Sequence, residues 1–241
     1  MSSACPARPV LALAAVVTGT ALVALPTSAA HASAPETITL DRVPVKLSTG
    51  TKQVITVNRT SRTRARITIW SRTDRGWVKR IQSSKARLGY GGLVAGRQRK
   101  QGTGTTPTGT YTLPMAFGRH SRNGAWDLPY KKFDGDDYWV QDNASKHYNR
   151  YRDKDAGGFR WWLTSGENTS ERLADYPKQY EMAIVIGFNY AHPVRHRGAG
   201  IFLHVNGKDS TAGCVSAPRS IIRSAMIRLH PRNKPVIAIG R

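Results

Sequence analysis

A chain of 241 residues with a 39% apolar share is long enough to bury a core without disulfide staples, which excludes the disordered and disulfide-framework classes. Lys and Arg number 37 against 15 Asp and Glu, a formal charge of +22. A surface this basic attracts polyanions, and composition alone leaves nucleic acid, anionic lipid and anionic wall polymer open.

The N-terminus narrows that choice. Arg8 precedes an Ala/Leu/Val-rich run from Val10 to Leu25, followed by Pro26 and the small-residue triplet Ala30-His31-Ala32, which suits cleavage before Ser33. Residues 1–32 therefore read as a secretory signal peptide. The run falls short of the about 20 apolar residues a spanning helix needs, and Thr18, Gly19 and Thr20 interrupt it, so no stable membrane anchor is expected after cleavage. Cys5 leaves with this segment, and Cys214 is the one cysteine expected in the mature chain. A secreted or cell-wall location sets nucleic acid aside and makes anionic wall polymers the partners matched by charge.

Residues 33–52 are rich in Ser, Thr and Pro and read as a leader or linker, with Thr37 to Leu40 as a short edge strand. Gln53 to Asn58, Ala65 to Trp70 and Gly76 to Gln82 alternate apolar and polar residues with β-branched enrichment, the signature of half-buried strands. Asp74-Arg75-Gly76 joins the last two as a hairpin. Glycines punctuate Lys85 to Gly109, and Thr106-Pro107-Thr108-Gly109-Thr110-Tyr111 reads as a turn feeding a strand that ends at Leu113.

Phe117 to Gly166 is a long insertion in which aromatic rings are interleaved with Asp, Asn and Lys. Most of its rings are expected to pack as a satellite core, and others to form a groove wall or lid. Aromatic and amide side chains together suit sugar and peptide surfaces, which makes Tyr148, Asn149 and Trp162 substrate-binding candidates. Asp134, Asp136 and Asp137 lack calcium-loop spacing and read as a solvated turn. Ser170 is placed to cap a short helix, and Met182 to Ile186 is a strand buried on both faces. His192 and His196 are four apart, but Pro193 opposes the helix that would align them, so no metal and no cofactor is expected. Beyond Cys214, Ile221, Ile222, Ala225, Met226 and Leu229 share a helical face, with Ser216 as its cap, Pro218 in its first turn and Pro231 as its stop; Pro235 to Ile239 closes the chain as a strand. The count is about ten strands against two helices in one domain over residues 53–241, which implies a mainly β, sandwich-like fold with one or two short helices.

The chemistry concentrates in His204 and Cys214. A thiol attacks carbonyls as thiolate, and a neighbouring imidazolium and a helix N-terminus both lower its pKa. His204 closes an apolar run, and the helix is expected to open about two residues beyond Cys214. Gly213 clears space for substrate, and the N–H groups near Gly213 and Cys214 are oxyanion-hole candidates. No Asp or Asn stands at a spacing that marks a third member, which leaves a backbone carbonyl to orient the imidazole.

His204 followed by Ser210-Thr211-Ala212-Gly213-Cys214-Val215 resembles the [Ser/Thr]-x-Gly-Cys signature, with its upstream His, of the L,D-transpeptidase catalytic domain family (YkuD-like). Thr106 to Tyr111 resembles that family's Thr-Pro-x-Gly-x-aromatic turn, and the likeness runs from about Gln53 to Ile239. The resemblance implies a mainly β, β-sandwich-like catalytic domain of exported proteins whose partners are peptidoglycan stem peptides. Cys214 would be the nucleophile and His204 its base, with Thr211 and Gly213 shaping the site. The implied reaction is acyl transfer from a stem tetrapeptide through a thioester, releasing D-alanine and forming a cross-link. With water as acceptor the same site would be a carboxypeptidase, and without catalysis the fold would serve as a cationic wall binder. The His-to-Cys interval is shorter than is usual in the family, Ala212 stands where many members have His, and Ser216 where Arg or Asn is common.

Overall fold

The computed structural model describes residues 1–4 and 36–241, so the expected signal segment lies, apart from its first four residues, outside the described part. The stretch expected to be a linker is part of the fold. Glu36–Leu40 (β1) and Val43–Leu47 (β2) pair as an antiparallel hairpin. Its turn residues Asp41 and Arg42 both have positive φ, 51° and 64°, matching the right-handed twist of the strands. Arg66 grips the Asp41 carboxylate through Nε at 2.9 and 3.0 Å, and Asn58 Nδ2 donates to the Asp41 carbonyl at 2.7 Å. Val43, Val45 and Leu47 bury against Val54, Val236 and Ala238, so the hairpin has its own apolar layer. The described residues 36–241 accordingly belong to one compact unit, with this hairpin packed on the strands that follow it.

Gln53–Arg59 (β3), Arg64–Thr73 (β4) and Gly76–Arg87 (β5) form the antiparallel meander that the alternation implies, with the hairpin at Asp74-Arg75. Leu93–Ala95 (β6), Thr106–Thr112 (β7), Ala116–Gly118 (β8) and Tyr130–Lys132 (β9) follow. Thr106 to Tyr111 is strand throughout, not a turn, although Gly109 keeps a φ of 138°. Asp137–Trp139 (β10) and Tyr151–Asp153 (β11) of the aromatic insertion and Glu171–Arg172 (β12) just beyond it make a separate small sheet in the order β11-β10-β12. Ala183–Val185 (β13), Phe202–Val205 (β14), Val215–Ala217 (β15), helix Arg219–Arg228 (α1) and Val236–Gly240 (β16) complete the chain.

Eleven strands run in the order β6-β7-β16-β3-β4-β5-β15-β14-β13-β8-β9. Ile55, Val57, Ile67, Ile69, Ile237 and Ile239 from one half share a core with Ile184, Leu203 and Val215 from the other, so the long sheet folds on itself as a sandwich. Ile221, Ile222, Ala225 and Met226 of α1 enter the same core, each contributing on the order of 1.5–3 kcal/mol where the side chain is large. Strand periodicity then sends the neighbours outward. Leu203 and Val215 point into the main core, while Phe202 and Cys214 join Ala183, Val185 and the rings of Phe117, Phe133, Trp139, Tyr148 and Tyr180 on the opposite face. The aromatic insertion roofs that face, as a satellite core requires.

Two helix starts differ from expectation. Ser216 is a buried residue of β15 whose hydroxyl donates to Asn206 Oδ1 at 2.8 Å, and α1 begins only at Arg219, capped by Pro218 without a side-chain bond. Ser170 opens no α-helix; it precedes β12 and accepts the Gln141 N–H at 3.1 Å, and only a short 3-10 turn follows over Leu173–Asp175. In both places the side chain finds a tertiary partner that local propensity does not foresee.

Candidate active site

Cys214 sits in the loop entering β15, and parallel pairing of β14 with β15 sets Leu203 against Val215 and His204 against Ser216. Cys214 therefore lies beside Phe202, and His204 is two residues further along the same face. Strand spacing and rise put their Cα atoms about 8 Å apart on the diagonal. Both are nearly covered, at 8% and 6% exposure, yet both line one cleft of about 720 Å³. The sulfur accepts the Phe202 N–H and donates to the Gly200 carbonyl, each at 3.4 Å.

Thr211 and Gly213 shape the loop that carries the thiol. Thr211 Oγ1 accepts the Gly213 N–H at 3.2 Å and donates to the Cys214 carbonyl at 2.6 Å. Thr106 Oγ1 donates to the same carbonyl at 3.3 Å, which ties β7 to the thiol loop. The Gly213 N–H is thereby spent within the loop and is not free as an oxyanion donor. Gly213 is needed for another reason: its φ is 136°, and a Cβ would stand 2.8 Å from Arg99 Nη2 and 3.0 Å from the Thr105 carbonyl.

His204 Nδ1 lies 2.8 Å from the Val205 carbonyl. A carbonyl only accepts, so Nδ1 carries the hydrogen and Nε2 the lone pair. The third partner that the sequence left open is this carbonyl. Tyr180 presents its ring edge-on to His204 at 5.4 Å and to Phe202 at 5.6 Å, fixing the imidazole from the side.

The electrostatics differ from an imidazolium–thiolate pair. Burial pulls the His204 imidazole down to about 4, and burial followed by the field of Glu171 pushes the Cys214 thiol up to about 12. The N–H groups of Phe202 and Cys214 and the Arg99 guanidinium oppose the thiol shift without cancelling it. The helix α1 starts at Arg219, beyond β15, and not about two residues past the sulfur as the sequence implied. At neutral pH the resting pair is a neutral thiol and a neutral imidazole. A neutral pair of this kind is suited to general-base chemistry, in which an imidazole accepts the proton as sulfur meets a carbonyl, and not to attack by a preformed thiolate.

Two groups in the cleft escape sequence reasoning. Arg99 is buried, donating from Nε to the Thr105 carbonyl at 2.8 Å and from Nη1 to the Arg197 carbonyl at 3.1 Å. Glu171, on β12, accepts from the Tyr180 hydroxyl and from Gln141 Nε2 at 3.2 Å. Burial, followed by the field of Asp175, pushes its carboxyl up to about 7 against these two bonds. In sequence Arg99 is one of several basic residues in a Gly/Arg/Lys run, and Glu171 resembles an ordinary first-turn acid; no local pattern marks either.

The three substrate-binding candidates lie elsewhere. Asn149, at φ 59°, is buried and saturated: Oδ1 accepts Trp139 Nε1 at 2.8 Å and the Gly200 N–H at 3.1 Å, and Nδ2 donates to the carbonyls of Phe188 at 3.2 Å and Asn189 at 2.6 Å. Tyr148 is 2% exposed, its hydroxyl donating to Gln101 Oε1 at 2.6 Å and accepting the Gly198 N–H at 3.0 Å. Both support the floor of the cleft without lining it. Trp162, 59% exposed, borders a separate shallow recess with Trp161 and Arg160. His196 pairs with Glu167 at 2.7 Å on the surface.

The family model of the L,D-transpeptidase catalytic domain, YkuD, matches residues 52–235. No curated protein and no solved structure gives a match.

Proposed function

Because the chain belongs to the L,D-transpeptidase catalytic domain family, whose members act on peptidoglycan peptides, we propose that it is an exported cysteine acyltransferase acting on stem tetrapeptides. The observation that carries this reading is one thiol at the entry to β15 and one tautomer-fixed imidazole on the adjacent strand β14, both lining one cleft. His204 Nε2 takes the thiol proton as Cys214 sulfur bonds to the peptide carbonyl carbon of the diamino-acid residue. The C–N bond then breaks, the imidazolium returns its proton to the departing D-alanine amine, and the acyl group remains as a thioester. Arg99, the buried cation beside the thiol loop, suits the terminal carboxylate of the donor or the charge that develops on the carbonyl oxygen. Attack by an amine from a neighbouring stem completes a cross-link and restores the thiol. Export is supported by the signal pattern over residues 1–32, and retention at an anionic wall by the charge of +21 that remains once Arg8 leaves with that segment (36 − 15), including exposed Arg223 and Arg228 on α1.

Incubation with disaccharide-tetrapeptide tests the reading. Native protein is expected to release D-alanine, seen as a mass loss, and Cys214→Ser to release none. Equal inertness of both would favour a wall-binding protein that keeps the fold without the chemistry.

A further inference from the structure

Glu171 is the group in the cleft that acylation does not use, and it stands where it hinders that step. One of its carboxylate oxygens, Oε2, approaches the ideal Cβ position of Gly200 to 3.4 Å, and the Gly200 carbonyl is the acceptor for the Cys214 thiol at 3.4 Å. A negative charge there opposes ionisation of the sulfur, and its field is the second-largest cause holding the thiol up. The protein holds it there with tertiary contacts. Tyr180 reaches it from beneath β14 and Gln141 from the insertion, while Asp175 and Tyr176 face it from the turn after β12. None of these neighbours is a cation. Arg172, next in the chain, turns to Asp175 at 3.4 Å and to the Gly135 carbonyl at 2.7 Å. A half-buried carboxylate with no cation beside it is a ready partner for one that arrives with a ligand.

The surroundings fit a cationic visitor. The whole chain carries 37 Lys and Arg against 15 Asp and Glu, but the cleft is lined by Glu171, Asp175 and Asp209 against Arg99, Arg172 and Lys208. A predominantly basic surface thus becomes balanced at the one place where the proposed reaction takes place, and Arg99, held by backbone carbonyls through Nε and Nη1, faces the thiol loop and not Glu171.

We propose that the Glu171 carboxylate is the subsite for the ammonium of the acceptor, which makes a primary amine, and not water, the second substrate of this cleft. The inference rests on the transpeptidase reading above. Once the thioester has formed, sulfur carries no charge and the cost of a nearby carboxylate disappears. The acceptor ammonium then docks on Glu171 and passes it one proton, leaving a free amine whose lone pair bonds to the thioester carbonyl carbon. His204 takes the second proton from the attached nitrogen. As the C–S bond breaks, that proton passes to the departing sulfur, and Glu171 releases its own to solvent. A carboxyl raised to about 7 is a better match to an alkylammonium than an ordinary carboxylate near 4.5.

Glu171→Gln retains an acceptor for the Tyr180 hydroxyl while removing the charge, and the ratio of aminolysis to hydrolysis of the acyl-enzyme reads out the subsite. The donor is the tetrapeptide, and the acceptors are Nα-acetyl-lysine amide, which is cationic, and hydroxylamine, which is uncharged at neutral pH. In the variant the ratio is expected to fall at least ten-fold for the lysine derivative and by less than two-fold for hydroxylamine, while thioester formation speeds up several-fold. An unchanged ratio with the lysine derivative, or an equal fall with both acceptors, would overturn the subsite. Slower thioester formation in the variant would place Glu171 with the donor and overturn it equally. Absence of D-alanine release by the native protein would instead remove the transpeptidase reading, and the subsite with it.

Discussion

The paired strands β14 and β15 and the insertion that roofs them solve different problems. Two strands in parallel register fix where Cys214 and His204 are, and backbone groups do nearly all the work: the Phe202 N–H, the Gly200 and Val205 carbonyls, and the loop tied by Thr211. The insertion and the segment that follows it to β13 supply side chains that reach down from many places in the sequence: Asn149 beneath Gly200, Tyr180 against His204, and Glu171 across the cleft. The difference teaches that reactive groups can be held by a short continuous motif, while their surroundings depend on tertiary packing.

If that division holds, the largest penalty belongs to the backbone of the thiol loop. Gly213→Ala combines a φ of 136° with a Cβ 2.8 Å from Arg99 Nη2 and is expected to cost about 3–5 kcal/mol, the sum of backbone strain and overpacking. A melting curve within 1 °C of native would break the comparison on its strand side.

Asn149 is the corresponding test of the insertion. Asn149→Ala leaves Trp139 Nε1 and the Gly200 N–H without acceptors, a loss of about 2–4 kcal/mol. Denaturant unfolding checks it, and a loss below about 0.5 kcal/mol would contradict the structural role assigned to Asn149 here and reopen it as a substrate-binding candidate.

A smaller effect of opposite sign is expected at Glu171. Its folded carboxyl is raised from 4.5 to about 7, so its contribution is fully present below pH 4.5 and is lost as pH rises through 7. Glu171→Gln has no such loss and should be more stable than native at pH 8 by about 1–2 kcal/mol, allowing for solvent at the open side of the cleft, with the advantage vanishing near pH 4. A pH-independent difference would contradict the burial assigned to this group. Smallest of all, Trp162→Ala should change stability by no more than about 0.5 kcal/mol and D-alanine release by less than two-fold, because Trp162 lies in a separate recess.

What was legible in the sequence follows the same division. Period-two alternation marks the β3–β5 meander, and His204 and Cys214 stand close enough in the chain to be read together, because these are local patterns. Thr37 to Leu40 is legible as a strand, but Val43–Leu47 is not, because a short polar-looking hairpin reveals its buried face only once Val54, Val236 and Ala238 are beside it. Ser216 and Ser170 have cap-like side chains, but Asn206 and Gln141, brought in by the fold, claim them first. Tyr148 and Asn149 have the chemistry of ligand-binding residues and are consumed by Gln101, Gly198, Trp139 and Gly200. The neutral state of the thiol and imidazole is a consequence of depth, which no spacing of His and Cys encodes.

The central claim is that Cys214 becomes acylated with His204 as its base. Intact-mass analysis after mixing the protein with tetrapeptide, followed by peptide mapping, addresses it directly. An adduct of the tetrapeptide less D-alanine, confined to the Cys214 peptide, cleaved by hydroxylamine and formed at least a hundred-fold more slowly in His204→Ala, is the predicted result. An adduct on another residue, or one that His204→Ala forms at the native rate, would contradict it.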